Sequence, residues 1–167
     1  MADDRFYAHA YRRPLEPEVA ADAIADVTGV PDTYGDEPEG TRAVTLFDPL
    51  TPAPSLDILG RCARVASCEG ITAGGGLPAK LHLLNGGLIN RKIGDDGGRL
   101  HRLIGAGNAD VEIVTDFYLR ALGRPPGGAE RAFWLGRLAG AGEPERALRL
   151  EDFAWSLLNC REFTTNH

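Results

Sequence analysis

Six stretches of this chain set apolar residues three or four positions apart, the spacing that gathers side chains on one face of an α-helix. Glu16 to Val27 carries Val19, Ala23, Ile24 and Val27, with Pro14 and Pro17 suited to its approach and Gly29 to its end. Leu77 to Ile93 carries Leu81, Leu84, Leu88 and Ile89, and Arg99 to Ile104 makes a shorter piece. Asn108 or Asp110 caps a helix reaching Leu122, with Val111, Val114, Phe117, Tyr118 and Leu122 as its stripe. Gly123, Pro125 and Pro126 then forbid continuation. Ala129 to Leu138, with Phe133, Trp134 and Leu138, and Glu145 to Leu158, with Leu148, Phe153, Leu157 and Leu158, complete the set.

Between the first helix and Ser55 the pattern breaks down. Val30 to Ser55 is rich in Pro, Gly and Asp, and only Ala43 to Phe47 alternates as a strand does. So long an irregular connection is uncommon inside a domain, and it suggests a functional segment or one that packs against something outside this chain; the second reading is preferred. Leu56 to Leu59 adds one helical turn. The expectation is a mainly α domain of five to six helices over residues 1–167, with at most a short β piece near 43–47. Residues 1–55 form the first helix and the acidic arm, and 56–167 form the helical core.

Composition narrows the class without naming a function. At 167 residues, 43% apolar and 25% charged, the chain has the balance of a globular domain. No apolar run is long enough for a membrane helix, and the opening MADDRFYAHAYRR lacks the apolar stretch of a signal peptide. The net charge of −6 is concentrated early: residues 1–50 hold eleven acids against four arginines. With no basic block, nucleic acid is not an expected partner.

Familiar chemical motifs are incomplete. Gly74 to Gly76 before Lys80 lacks the spacing of a phosphate loop, and Leu81 stands where a magnesium-holding hydroxyl belongs. GAGNAD at 105–110 lacks the third glycine and the preceding strand of a dinucleotide site. Cys62, Cys68 and His82, with Cys160 as a fourth ligand, have donors for zinc but not its usual spacing, so no metal is assigned. A Cys62–Cys68 disulfide is the preferred alternative in an oxidising compartment. No C-x-x-C-H is present for covalent haem. The region to examine is the loop after Gly60 and the helix that follows. There Arg61 and Arg64 suit an anionic group, Cys68 and Glu69 lie in the loop, and His82 and Asn85 share a helical face. The competing account is structural, with the arginines paired to the acidic N-terminal half.

Read in order, RRPLEPEVAADAIADVTGVP, EGTRAVTL, ILGR with a nearby cysteine, LHLLNGGLINRKI, FYLRALGRPP and WSLLNCREFTTNH resemble the C-terminal domain of unknown function of planctomycete-type large cell-surface proteins. Such proteins commonly carry an N-terminal cytochrome-c-like domain and a second domain upstream. The resemblance runs from Asp4 to His167. It departs at Cys68-Glu69, followed here by Gly70 rather than the family's Cys-x-Cys-Glu-Arg text, and at Gly87, where the family often has Asp. A family site resting on that second Cys, the Arg or the Asp would be lost here.

The resemblance implies an extracytoplasmic, non-catalytic accessory module, periplasmic or at the cell surface, that packs against upstream domains of a cytochrome-linked protein, with a carbohydrate-acting oxidoreductase as the activity to look for in the whole. Haem would then reside on the upstream domain, with no cofactor in this chain. The isolated chain is expected to self-associate or to expose an apolar patch. The alternatives are an active site that the upstream domain completes around Arg61, Arg64, Cys68, Glu69, His82 and Asn85, and a free-standing binding module.

Overall fold

A computed structural model describes residues 13–48, 50–61 and 87–166. Its described part is mainly helical: α1 Pro17–Thr28, α2 Pro54–Leu59, α3 Gly87–Ile93, α4 Arg99–Gly105, α5 Asp110–Leu122, α6 Gly128–Leu138, α7 Glu145–Leu158 and α8 Arg161–Thr164. The count exceeds six because α2 and the single turn α8 are helices in their own right. The expected helix from Leu77 is described from Gly87 onward, and Leu81 and Leu84 lie outside the described residues.

Local chemistry sets the helix ends. Pro17 occupies the first turn of α1, where its missing N–H costs nothing, and Gly29 closes the helix at φ +71°. Glu112 and Glu130 fold back to accept the N–H groups of Ala109 (2.9 Å) and Gly127 (2.7 Å), satisfying free donors at the starts of α5 and α6.

The main core collects Ile24 and Val27 of α1, Ile89 and Ile93 of α3, Leu100 of α4, and the inner faces of α5 and α7. Phe153 is its hub. Its ring meets Phe117 edge-on at 5.9 Å, Trp134 edge-on at 5.0 Å and Tyr118 stacked at 6.1 Å, geometries that add to simple burial. A smaller cluster of Ala21, Tyr34, Ala43, Ala53, Leu56 and Leu59 lies on the other side of α1.

Several expected core residues face outward instead. Val19 lies about 140° around the helix from Ile24 at 100° per residue, and it is exposed. Val111, Phe133 and Leu148 are likewise exposed, while Ile113, Leu150 and Ala154 are buried in the core. Ala43 to Phe47 is not a strand: residues Ala43–Thr45 form a 3-10 turn. The described strands are β1, Arg13–Pro14, and β2, Thr165–Asn166, which pair antiparallel and bring the two ends of the described chain together. Leu15 N–H donating to Thr164 C=O at 3.1 Å extends the pairing.

Candidate functional site

The arm that follows α1 is fastened at three places by charged groups. The first is Asp22, whose carboxylate is buried on α1 and accepts from Ala43 N–H at 2.7 Å and Val44 N–H at 3.2 Å. Successive N–H groups of a strand point to opposite edges, so with those of Ala43 and Val44 both held by Asp22 neither edge of a strand at 43–47 is fully available, and the segment takes a 3-10 turn instead. Arg42 supports the clamp with a bidentate bond to Asp26 at 2.9 and 3.1 Å and a longer approach to Asp22 at 3.4 Å.

The second fastening is Lys92 on α3. Its ammonium is buried, 3.0 Å from Asp32 Oδ1, and donates to Val30 C=O. Asp32 Oδ2 is buried without a hydrogen-bond partner. Tyr34 packs beside this pair, and its hydroxyl is pushed well above the usual phenol range by burial and then by the charges of Asp32 and Asp22. Asp22, Asp26, Asp32, Tyr34, Arg42 and Arg99 line an open cleft of about 260 Å³ along this seam. Its charged groups are engaged within the fold, and Arg99 donates to the backbone carbonyls of Val27 at 3.0 Å and Asp26 at 3.3 Å, holding α4 against the end of α1.

The third fastening is Arg61, the one member of the sequence-derived site within the described residues. Its guanidinium is nearly buried, donating to Thr51 C=O at 2.9 Å and to Asp57 Oδ1 at 2.8 Å. The Arg61 guanidinium is thus taken up by Asp57 and the Thr51 carbonyl, and the side chain serves to close the arm on α2. Arg64, Cys68, Glu69, His82 and Asn85, and both cysteines of the Cys62–Cys68 disulfide, lie outside the described residues. Cys160 is described as a free thiol; its Sγ accepts from Phe163 N–H at 3.4 Å at the start of α8. Among the described residues no group of three His, Cys, Asp or Glu side chains is placed to hold a metal, and no helix is long and apolar enough to cross a membrane.

Fastening the arm leaves its outer side bare. Phe47 is 100% exposed, Leu50 62% and Val44 53%, within seven positions of one another. Gly35 N–H donates to Pro52 C=O at 3.0 Å, which sets the 34–37 turn beside the end of this segment. The exposed carboxylates of Asp36, Glu37 and Asp48 therefore flank the apolar tip. The expectation that the arm packs against something outside the chain needs correction in its first half: among the described residues the arm is anchored on α1, α2 and α3, and its tip is exposed. The signal that sequence reading missed was Asp22, an acid on the buried side of a helix four positions before Asp26.

Comparison of the chain with protein-family models, with curated proteins and with solved structures finds no match.

Proposed function

We propose that this chain is a non-catalytic packing module that docks, through the tip of its arm, on an adjoining domain of a larger extracytoplasmic, cytochrome-linked protein. The observation that carries this reading is the fully exposed Phe47 between Val44 and Leu50, presented by an arm that buried charged groups hold in place. A single exposed apolar residue is ordinary; three on one short fastened segment form a surface that a partner would cover. The acidic flank set by Asp36, Glu37 and Asp48 selects the partner's chemistry, an apolar pocket rimmed by Lys and Arg. The family resemblance supplies the identity of that partner, the upstream domains, with haem on the cytochrome-type domain rather than on this chain.

The test is light scattering of the chain alone, then titration with the separately prepared upstream domains. Burying a phenylalanine side chain is worth about 1.5–3 kcal/mol, so Phe47→Asp should weaken association by at least about ten-fold while leaving the fold intact. Association that survives Phe47→Asp and Leu50→Asp unchanged, or a chain indifferent to every upstream domain, sinks the proposal. Concentration-dependent dimerisation that Phe47→Asp abolishes would instead make a second copy the occupant.

A further inference from the structure

Away from the arm, α3 and α7 lie side by side and leave between them a cleft of about 440 Å³. Among the described residues it is lined by Asn90 and Ile93 of α3 and by Glu151, Asp152 and Trp155 of α7. This volume falls within the range typical of small-molecule sites, about 300–1,000 Å³. Nothing in the fastening of the arm uses these side chains.

The lining has a definite chemical character. Trp155 is half-buried, packed on the main core along one side, and among the described residues its indole N–H meets no hydrogen-bond acceptor. The Asn90 amide and the Asp152 carboxylate are exposed, and among the described residues no hydrogen bond or ion pair engages them. Glu151 is different. Its Oε1 is held at 2.9 Å by His101 Nε2, which reaches across from α4, so the carboxylate is fixed in place with its other oxygen left to accept. Ile93 is buried at the boundary of the cleft.

Taken together these are a flat apolar face, a rim dominated by acceptors, one acceptor pre-oriented by a second residue, and one amide able to do both. Carboxylate oxygens need a ligand rich in donors, and an indole face needs a flat C–H surface. An aliphatic amine supplies donors without the flat face, and an unsubstituted aromatic ring supplies the face without donors; a guanidinium has both flatness and donors but covers only a small part of a cleft this size. A cyclic polyol supplies both. The two carboxylates add a sign preference, because an anionic ring brought beside them gains like-charge repulsion. We infer that the α3–α7 cleft is a binding site for a neutral sugar ring, with Trp155 as the stacking platform and Asn90, Glu151 and Asp152 as the hydroxyl-reading groups.

The experiment is a titration of the whole chain, labelled with nitrogen-15, with cellotriose, mannotriose, galactotriose and, as the charged comparison, trigalacturonate. The chain has two tryptophans, so the Trp134 indole N–H serves as an internal reference for that of Trp155. The expected result is saturable movement of the Trp155 signal, with Trp134 unmoved, for at least one neutral trisaccharide, at a dissociation constant near about 1 mM or below. Trigalacturonate should bind at least ten-fold more weakly. Asp152→Asn, at an exposed position with no partner to lose, should keep the fold and reduce the discrimination against trigalacturonate. Trp155→Phe should weaken binding several-fold, and Trp155→Ala should abolish it. No movement of Trp155 with any neutral trisaccharide would overturn the inference. So would equal affinity for trigalacturonate, binding that survives Trp155→Ala in a folded chain, or trilysine moving the signal where the saccharides fail.

Discussion

Lys92→Met is the sharpest perturbation of the scaffold, because it keeps most of the stem and removes only the charge and its donors. In the native chain the Lys92 side chain is 6% exposed and Asp32 13%, with Nζ and Oδ1 3.0 Å apart. The substitution strands the Asp32 carboxylate, one of whose oxygens already lacks a partner, and leaves the Val30 carbonyl without its donor. Removing one partner of a buried pair costs about 3–5 kcal/mol, whereas a solvent-screened pair is worth only about 0–1. The exposures place this pair in the first regime, and methionine's packing recovers a little, so the expected loss is about 3–4 kcal/mol. For a chain of this size that lowers Tm by roughly 6–16 °C. Urea unfolding at neutral pH, followed by far-ultraviolet circular dichroism, measures it. The double variant Asp32→Asn with Lys92→Met should lose clearly less than the two single variants summed, since it removes the stranded charge along with its partner. A Lys92→Met loss below about 1 kcal/mol, or strict additivity in the cycle, would refute the view that this pair is a buried tie between α3 and the arm.

Three further outcomes follow from the same geometry. Asp22→Ala leaves two N–H groups at 43 and 44 without acceptors, at a cost of about 1–3 kcal/mol, and should speed tryptic cleavage after Arg42; cleavage at the native rate would show that the arm is held otherwise. Glu130 is held down at about 2 by Arg124, then by Gly127 N–H. Because its folded value is depressed, the stability it contributes is present above the ordinary carboxylate range near about 4.3 and is lost as pH falls toward about 2. With the side chain 37% exposed, screening limits the contribution to about 1 kcal/mol, and Glu130→Gln should flatten the acid limb of stability against pH by that amount. Gly29→Ala should cost about 1–2 kcal/mol for the left-handed backbone, plus a smaller penalty for displacing the end of the Arg102 side chain, whose Nη2 lies 2.9 Å from the new Cβ; Gly40→Ala, also at positive φ but with open space around it, should cost the backbone part alone. Equal losses in thermal melts would remove the packing component.

The helical part of the fold was legible because Pro and Gly punctuate it and apolar residues repeat between them. The limits of α7 coincide with those read from residues 145–158, and α5 ends at Leu122 as read, although its cap is Ala109, between the two candidates Asn108 and Asp110. What escaped was decided by polar groups or by distance. Charge alone gives no reason to bury Lys92, and its carboxylate partner lies sixty positions earlier on the arm. The strand-like text at 43–47 was overruled by Asp22, whose oxygens take the very donors a ladder needs. Val19, Phe133 and Leu148 were placed on the wrong face, since a few apolar residues at mixed three- and four-residue spacings do not fix which of them points inward. Of the candidate site, only Arg61 lies within the described residues, and its pairing with Asp57 four positions earlier is a contact that the reading of an anionic ligand or of the acidic N-terminal half did not contain. Trp155 passed unremarked because an aromatic on a helix is more often core than platform.

The pairing of Arg13–Pro14 with Thr165–Asn166 also has a mechanical meaning. Arg13 faces Asn166 at the outer end of the ladder, so tension applied through the two ends pulls the strands apart from that end and breaks their bonds one after another instead of loading them together. The ladder is a weak link in series with a core centred on Phe153. Under load it would peel first, releasing a few residues of slack while the helices and the fastened arm stay intact, and it would re-form when the load is removed.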